Sequence, residues 1–113
     1  MKITIERGAL LKSLAHVQSV VERRNTIPIL SNVLLDAADN MLALTATDMD
    51  LTIVEKVAAQ VGAKGATTVS AHTLYDIVRK LPDGAQIQLE GAADGGQVTL
   101  KAGRSKFSLA TLP

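Results

Sequence analysis

The chain has 113 residues, with 12 lysines and arginines against 11 aspartates and glutamates. That balance excludes a protein that coats nucleic acid by bulk charge, and 47% hydrophobic residues with 20% charged ones exclude a disordered tail. Tyr75 and Phe107 are the only aromatic residues, so the core is aliphatic and a module that stacks bases on several exposed rings is disfavoured.

The N-terminal stretch alternates, with Ile3 and Ile5 between Lys2, Thr4 and Glu6, which predicts a short strand. From Gly8, the apolar residues Leu10, Leu11, Leu14, Val17 and Val21 follow helical spacing and predict an amphipathic helix running to about Val21. Pro28 restarts the chain as a strand over 29–35. Asp39-Asn40 is a turn signal, and strands follow at 41–46 and about 50–57. Gly62-Ala63-Lys64-Gly65 reads as a joint. Beyond it come a strand at 67–70, a helix at 71–80 stopped by Pro82, and strands at 86–89, 97–101 and 106–109. Gly91, Gly96 and Gly103 fall at the turns between these last strands.

The second half echoes the first. Ile5, Leu10, Leu11 and Leu14 align with Val69, Leu74, Tyr75 and Val78. Leu42, Leu44, Ala46, Leu51 and Ile53 align with Val98, Leu100, Ala102, Phe107 and Leu109. The pattern predicts an α+β chain made of a duplicated β-α-β-β-β unit, with repeats of about 1–61 and 62–113. Two antiparallel sheets would carry the two helices on one side.

Without cysteine there is no disulfide, no thiolate chemistry and no Cys-ligated zinc, and His16 and His72 are too few for a His-rich site. No metal and no cofactor are expected. Charges interrupt any signal-peptide core, and no apolar run is long enough for a bilayer, which fits a cytoplasmic protein without a membrane partner. Asp48 and Asp50 form a carboxylate pair, but an EF-hand would need Gly where Ile53 stands and Glu where Ala59 stands. No G-x-S-x-G elbow or P-loop is present, and Ser70 reads as a helix N-cap. No catalytic site is expected.

Each helix carries cations. Lys12, His16 and Arg23 share a stripe on the first, and Arg24 opens the loop after it. His72, Asp76 and Lys80 share a stripe on the second, with Arg79 beside it. Such a mildly basic face suits sequence-independent contact with phosphates, although lysines on outer helix faces are commonly just solvated. Late in the chain Arg104, Lys106 and Ser108 alternate with Phe107 and Leu109, as in a core strand or in an edge strand that meets another subunit. Two further readings stay open: a stand-alone nucleic-acid-binding module, and a metal-dependent hydrolase using Asp48 and Asp50.

The segments MKITIERGALLKSL, RRNTIPILSNVLL, LTATDMDLTI, GATTVSAHTLYDIVRKLPDGAQI and GRSKFSLATLP occur in this order across the whole chain. Together they resemble the N-terminal domain of the bacterial DNA polymerase III beta subunits, the sliding clamps. The resemblance implies a DNA clamp fold, the first of three domains, in a head-to-tail homodimer ring around duplex DNA. It implies a processivity factor that tethers the replicative polymerase, with polymerase and clamp loader bound mainly by domains outside this chain. By position it implies DNA contact at Arg24, and the helix faces add Lys12, Arg23, Arg79 and Lys80. His72 stands where the family commonly has a basic residue, and a neutral imidazole would hold phosphate more weakly. Arg104, Lys106, Phe107 and Leu109 fall on the strand that, by resemblance, meets the second subunit.

Overall fold

The structure, a computed structural model, describes residues 1–19, 32–47, 52–91 and 96–111. In β1 (Lys2–Glu6) the alternation turns Ile3 and Ile5 into the core. The strand runs straight into α1 (Arg7–Gln18), one residue earlier than Gly8, because Glu6 caps it. The Glu6 carboxylate accepts the Ala9 amide at 2.9 Å. Bonds from the Gly8 and Ala9 amides, helped by the Arg7 charge, hold that carboxyl below its ordinary pKa. Leu10, Leu14 and Val17 form the buried stripe. The helix is described to Gln18, where the Ser19 amide (3.3 Å) and hydroxyl (2.6 Å) both donate to the His16 carbonyl; residues 20–21 of the expected helix lie outside the described residues.

Three strands follow: β2 (Asn32–Ala38), β3 (Met41–Thr47) and β4 (Thr52–Ala58). Residues 29–31 and 50–51 of the predicted strands lie outside the described residues. Asp39 and Asn40, with φ of 53° and 56°, make the left-handed two-residue turn that matches strand twist. Asn40 then fastens the chain beyond β4. Its carbonyl accepts the Ala59 amide at 3.1 Å and its side-chain oxygen accepts the Val61 amide at 3.4 Å. This anchors β5 (Gln60–Ala63), a strand too short and too polar to stand out in the sequence. The expected joint at 62–65 is therefore mostly strand, with Lys64 alone between β5 and β6 (Gly65–Ser70).

Ser70 caps α2 (Ala71–Lys80) as expected, its hydroxyl accepting the Thr73 amide at 3.3 Å. Leu81 is extended (φ −76°, ψ 156°), the conformation a following proline imposes, and the helix stops there. β7 (Gln86–Gly91), β8 (Gln97–Ala102) and β9 (Ser105–Ala110) complete the fold. Gly91 ends β7 instead of turning the chain, whereas Gly103 (φ 59°) sits with Arg104 in the tight turn between β8 and β9.

The strands form two antiparallel sheets, ordered β5-β1-β7-β8-β9 and β4-β3-β2-β6. The first strand of each half crosses to the other sheet: β1 pairs with β7, and β6 with β2. Matching registers follow, with Leu35 opposite Leu44 in one sheet and Leu89 opposite Leu100 in the other. The last strands depart from the sequence alignment. Leu42 faces Val57 and Val98 faces Leu109, so Val57, not Ile53, corresponds to Leu109. Likewise Glu55, not Leu51, corresponds to Phe107, because both face the matched Leu44 and Leu100. β3 ends at Thr47 and β4 begins at Thr52, a wider spacing along the chain than that between Ala102 and Ser105, and that difference displaces the alignment. The two helices pack on each other, and Leu10, Leu14, Leu35, Leu44, Leu74, Leu89 and Leu100 fill the aliphatic core.

Candidate interaction site

The two helix–strand corners of the molecule occupy matching places and end differently. Counting from the caps Glu6 and Ser70, Leu10 and Leu14 of α1 correspond to Leu74 and Val78 of α2, which sets His16 against Lys80. The sheet registers set Glu55 against Phe107. In the first corner α1 lies directly on β4. Ile53 and Val57 pack against the core, and His16 Nδ1 is 2.9 Å from Glu55 Oε1. In the second corner a groove of about 360 Å³ separates α2 from β9. Ile77, Leu81, Pro82 and Phe107 supply its apolar walls, and Thr73, Asp76, Lys80 and Ser105 its polar ones. Phe107 is 38% exposed there, unusual for a large ring. β9 is also an edge strand, so one side of its backbone has no partner among the described strands.

The residues singled out from the sequence divide among several places. Lys12 is exposed on α1 and Arg79 is exposed on α2. Helical geometry puts His72 and Arg79 on the side of α2 that carries Tyr75, while Lys80, about a quarter-turn round from Arg79, lines the groove with Asp76. His72 is half-buried in the first turn of α2. The cations are tempered by neighbours. Arg79 bonds Asp76 at 3.3 Å with its guanidinium 5.7 Å from the Tyr75 ring centre, and His16 meets Glu55. Arg23 and Arg24 lie outside the described residues, as do Asp48 and Asp50.

Arg104 and Lys106 are exposed at the end of the sheet. Leu109, on the same edge strand, is 5% exposed and lies opposite Val98 in the chain's own core. It shares a face with Phe107, but the outer end of that face runs past the core into the groove. Sequence reading also missed Arg7. Only 12% of its side chain is exposed, and its guanidinium donates to Val78 O (3.1 Å), Arg79 O (3.0 Å) and Asp83 Oδ1 (2.7 Å). No local motif marks a residue that bonds a helix end more than 70 positions away.

Among the described residues no group of three or more His, Asp or Glu could hold a metal ion, and no helix is long and apolar enough to cross a membrane. What the surface offers is a mildly basic helix pair and one open apolar groove beside a free strand edge.

Comparison with known proteins gives these features a family. Residues 1–113 match the family model of the DNA polymerase III beta subunit, N-terminal domain. The chain is 58% identical over 113 residues to the beta sliding clamp of Caulobacter vibrioides and 46% identical over 114 to that of Escherichia coli K12. All of this chain aligns in both cases, with 30% and 31% of the relatives' length. Among solved structures, a DNA polymerase sliding clamp from Caulobacter crescentus superposes with a TM-score of 0.96 at 57% identity. The DNA polymerase III subunit beta of Pseudomonas aeruginosa gives 0.93 at 45%. Both alignments take in 100% of this chain and 30% of the other. The chain thus spans about a third of the relatives it matches, and it belongs to the DNA polymerase III beta subunit family as that family's N-terminal domain.

Proposed function

We propose that the chain serves as one domain of a ring-shaped sliding clamp that encircles duplex DNA and tethers a replicative polymerase. The observation that carries this reading is the match of residues 1–113 to the N-terminal domain of a family whose relatives in Caulobacter vibrioides and Escherichia coli are named beta sliding clamps. In this reading the two halves, 1–61 and 62–113, are copies of one unit joined within β5.

The charge pattern fits the task. A ring that slides needs weak, sequence-blind phosphate contacts, because each strong contact holds the ring at one place. Lys12, Arg79 and His72, with Arg23 and Arg24, supply the contacts to DNA. Lys80, on the groove rim, stands beside these contacts. The groove and the β9 edge receive a second subunit, head to tail, which would cover Phe107 and extend the sheet. Arg104, Lys106 and Lys80 favour acidic side chains around an apolar centre on that partner surface. Polymerase and loader bind chiefly elsewhere in the longer protein, the cell compartment is the cytoplasm, and the domain contributes no catalytic group of its own.

Retention on circular DNA tests this. The full-length protein carrying this domain, loaded on a nicked circle, stays bound at moderate salt and leaves once the circle is linearised. The chain of 113 residues alone stays on neither. Equal retention of the chain on short linear duplexes would favour a stand-alone binding module instead.

A further inference from the structure

We infer that Arg7 is the positioning residue of the α2–β9 groove; this rests on the reading of that groove as a subunit surface. The two walls of the groove are held in different ways. β9 is fixed by its ladder to β8, from Gln97↔Ala110 to Ala102↔Ser105. The other wall is the C-terminal turn of α2 with the residues after it: Ile77, Lys80, Leu81 and Pro82. A helix end leaves carbonyls short of partners; from the helix end itself Val78 O accepts only the cap amide of Leu81, at 3.2 Å, and among the described bonds β9 gives none to this end. Arg7 does. Nε donates to Val78 O at 3.1 Å and Nη2 to Arg79 O at 3.0 Å, while Nη1 reaches Asp83 beyond Pro82 at 2.7 Å. The Arg7 backbone amide adds a bond to Ala85 O at 2.9 Å. One side chain therefore spans the helix end and the turn on either side of the groove residues Lys80, Leu81 and Pro82.

The chemistry needs arginine. A planar fork can reach three acceptors in fixed directions, and its cation opposes the negative end of the helix dipole. Asp83 is 98% exposed, so its ion pair contributes little, and the bonds to the two carbonyls, the one to Val78 half-buried and the one to Arg79 exposed, set the geometry. The clamp occurs once. The matching position at the start of α2 is Ala71, which has no polar side chain, and the corner it would serve is already closed by α1 lying on β4.

The test uses Arg7→Lys and Arg7→Ala in the full-length protein, with the subunit dissociation constant read by sedimentation at a temperature where circular dichroism shows each variant folded. Arg7→Ala weakens the dimer about tenfold, and Arg7→Lys falls between it and the parent, because an ammonium reaches fewer of the acceptors. Combined with Phe107→Ala, Arg7→Ala adds less than its separate effect, since both act through one groove. A purely structural role would lower the melting temperature and leave this coupling at zero. If Arg7→Ala does not fold, Arg7→Lys carries the test, read in its own cycle with Phe107→Ala. Unchanged dissociation in the folded variants, or independent effects in the cycle, overturns the proposal. Phe107→Asp, measured in parallel, separates the two readings. If it splits the dimer while both Arg7 variants do not weaken it, only the role of Arg7 fails. If the dimer survives Phe107→Asp, the groove is not the interface and the Arg7 proposal fails with it.

Discussion

The α1–β4 corner and the α2–β9 corner share a backbone frame and differ in two residue pairs. Where one has His16 and Glu55, the other has Lys80 and Phe107. The first pair joins at 2.9 Å over a strand packed on its helix, and the corner is complete within the chain. The second leaves an aromatic ring 38% exposed in a groove of about 360 Å³. Burying such a ring is favourable by roughly 1.5–3 kcal/mol in all, and only part of that is realised here. One strand position thus separates a self-contained corner from one that leaves an aromatic ring partly open to water.

The sharpest way to break this comparison is to truncate a large side chain on each side of it. Leu14→Ala opens a cavity in the closed half, where Leu14 is 0% exposed, and lowers the unfolding free energy of the chain by about 2–5 kcal/mol in urea titration. Phe107→Ala costs the isolated chain about 1 kcal/mol or less, since its ring already meets water. Equal losses would mean that the second corner is packed like the first. Next in size is Phe107→Glu, which gives the open corner the pair type of the closed one, beside Lys80. The isolated chain should keep its stability within about 0.5 kcal/mol, while the full-length dimer dissociates on buried charge. A dimer that persists at nanomolar concentration would count against the groove as an interface.

The remaining two effects are small. His16→Ala removes an exposed pair and should cost about 0.2–1 kcal/mol, an amount that shrinks in high salt. A larger, salt-insensitive loss would show that this bond, not the packing of α1 on β4, closes the corner. Last comes the Glu6 cap. Its folded pKa is depressed by the Gly8 and Ala9 amides, so its contribution is full above the ordinary carboxylate pKa and disappears as pH falls through the lowered one. Glu6→Gln should flatten that acid limb of the stability profile, and Ser70→Ala, the equivalent cap of α2, should leave its shape unchanged.

Much of the fold was legible because local chemistry wrote it. Period-two alternation marked β1, β3, β7 and β8, Asp39-Asn40 marked a left-handed turn, and Ser70 with Pro82 bracketed α2 to the residue. β5 was hidden because its ladder partner is β1, far away in the chain (Lys2↔Ala63, Ile3↔Val61), and the Asn40 side chain that steadies it lies 21 positions from the amide it accepts. The misalignment of the last strands had a similar origin. Apolar residues can be matched at several shifts, and only the hydrogen-bonded register distinguishes Val57 from Ile53 as the partner of Leu42. At the site, exposed lysines and arginines were easy to name, but the sequence could not say that Lys80 turns away from Arg79 toward Phe107. Nor could it separate Phe107 from Leu109, because both alternate correctly; burial alone assigns one to the groove and the other to the core. Arg7 was illegible for a simpler reason: its partners are backbone carbonyls, which carry no sequence mark.

The central claim is that the second corner is completed by another surface in the assembled protein. Amide hydrogen exchange over β9, compared between the chain alone and the full-length protein, tests it most directly. Fast exchange is expected in the isolated chain at the alternate amides of Ser105–Ala110 that face the open edge, with those laddered to β8 slower, and strong protection of the edge amides in the full-length protein, with Leu14 and its core neighbours equally slow in both. The same fast exchange of β9 in both proteins would contradict it, because the groove and its strand edge would then face water in the assembly as well.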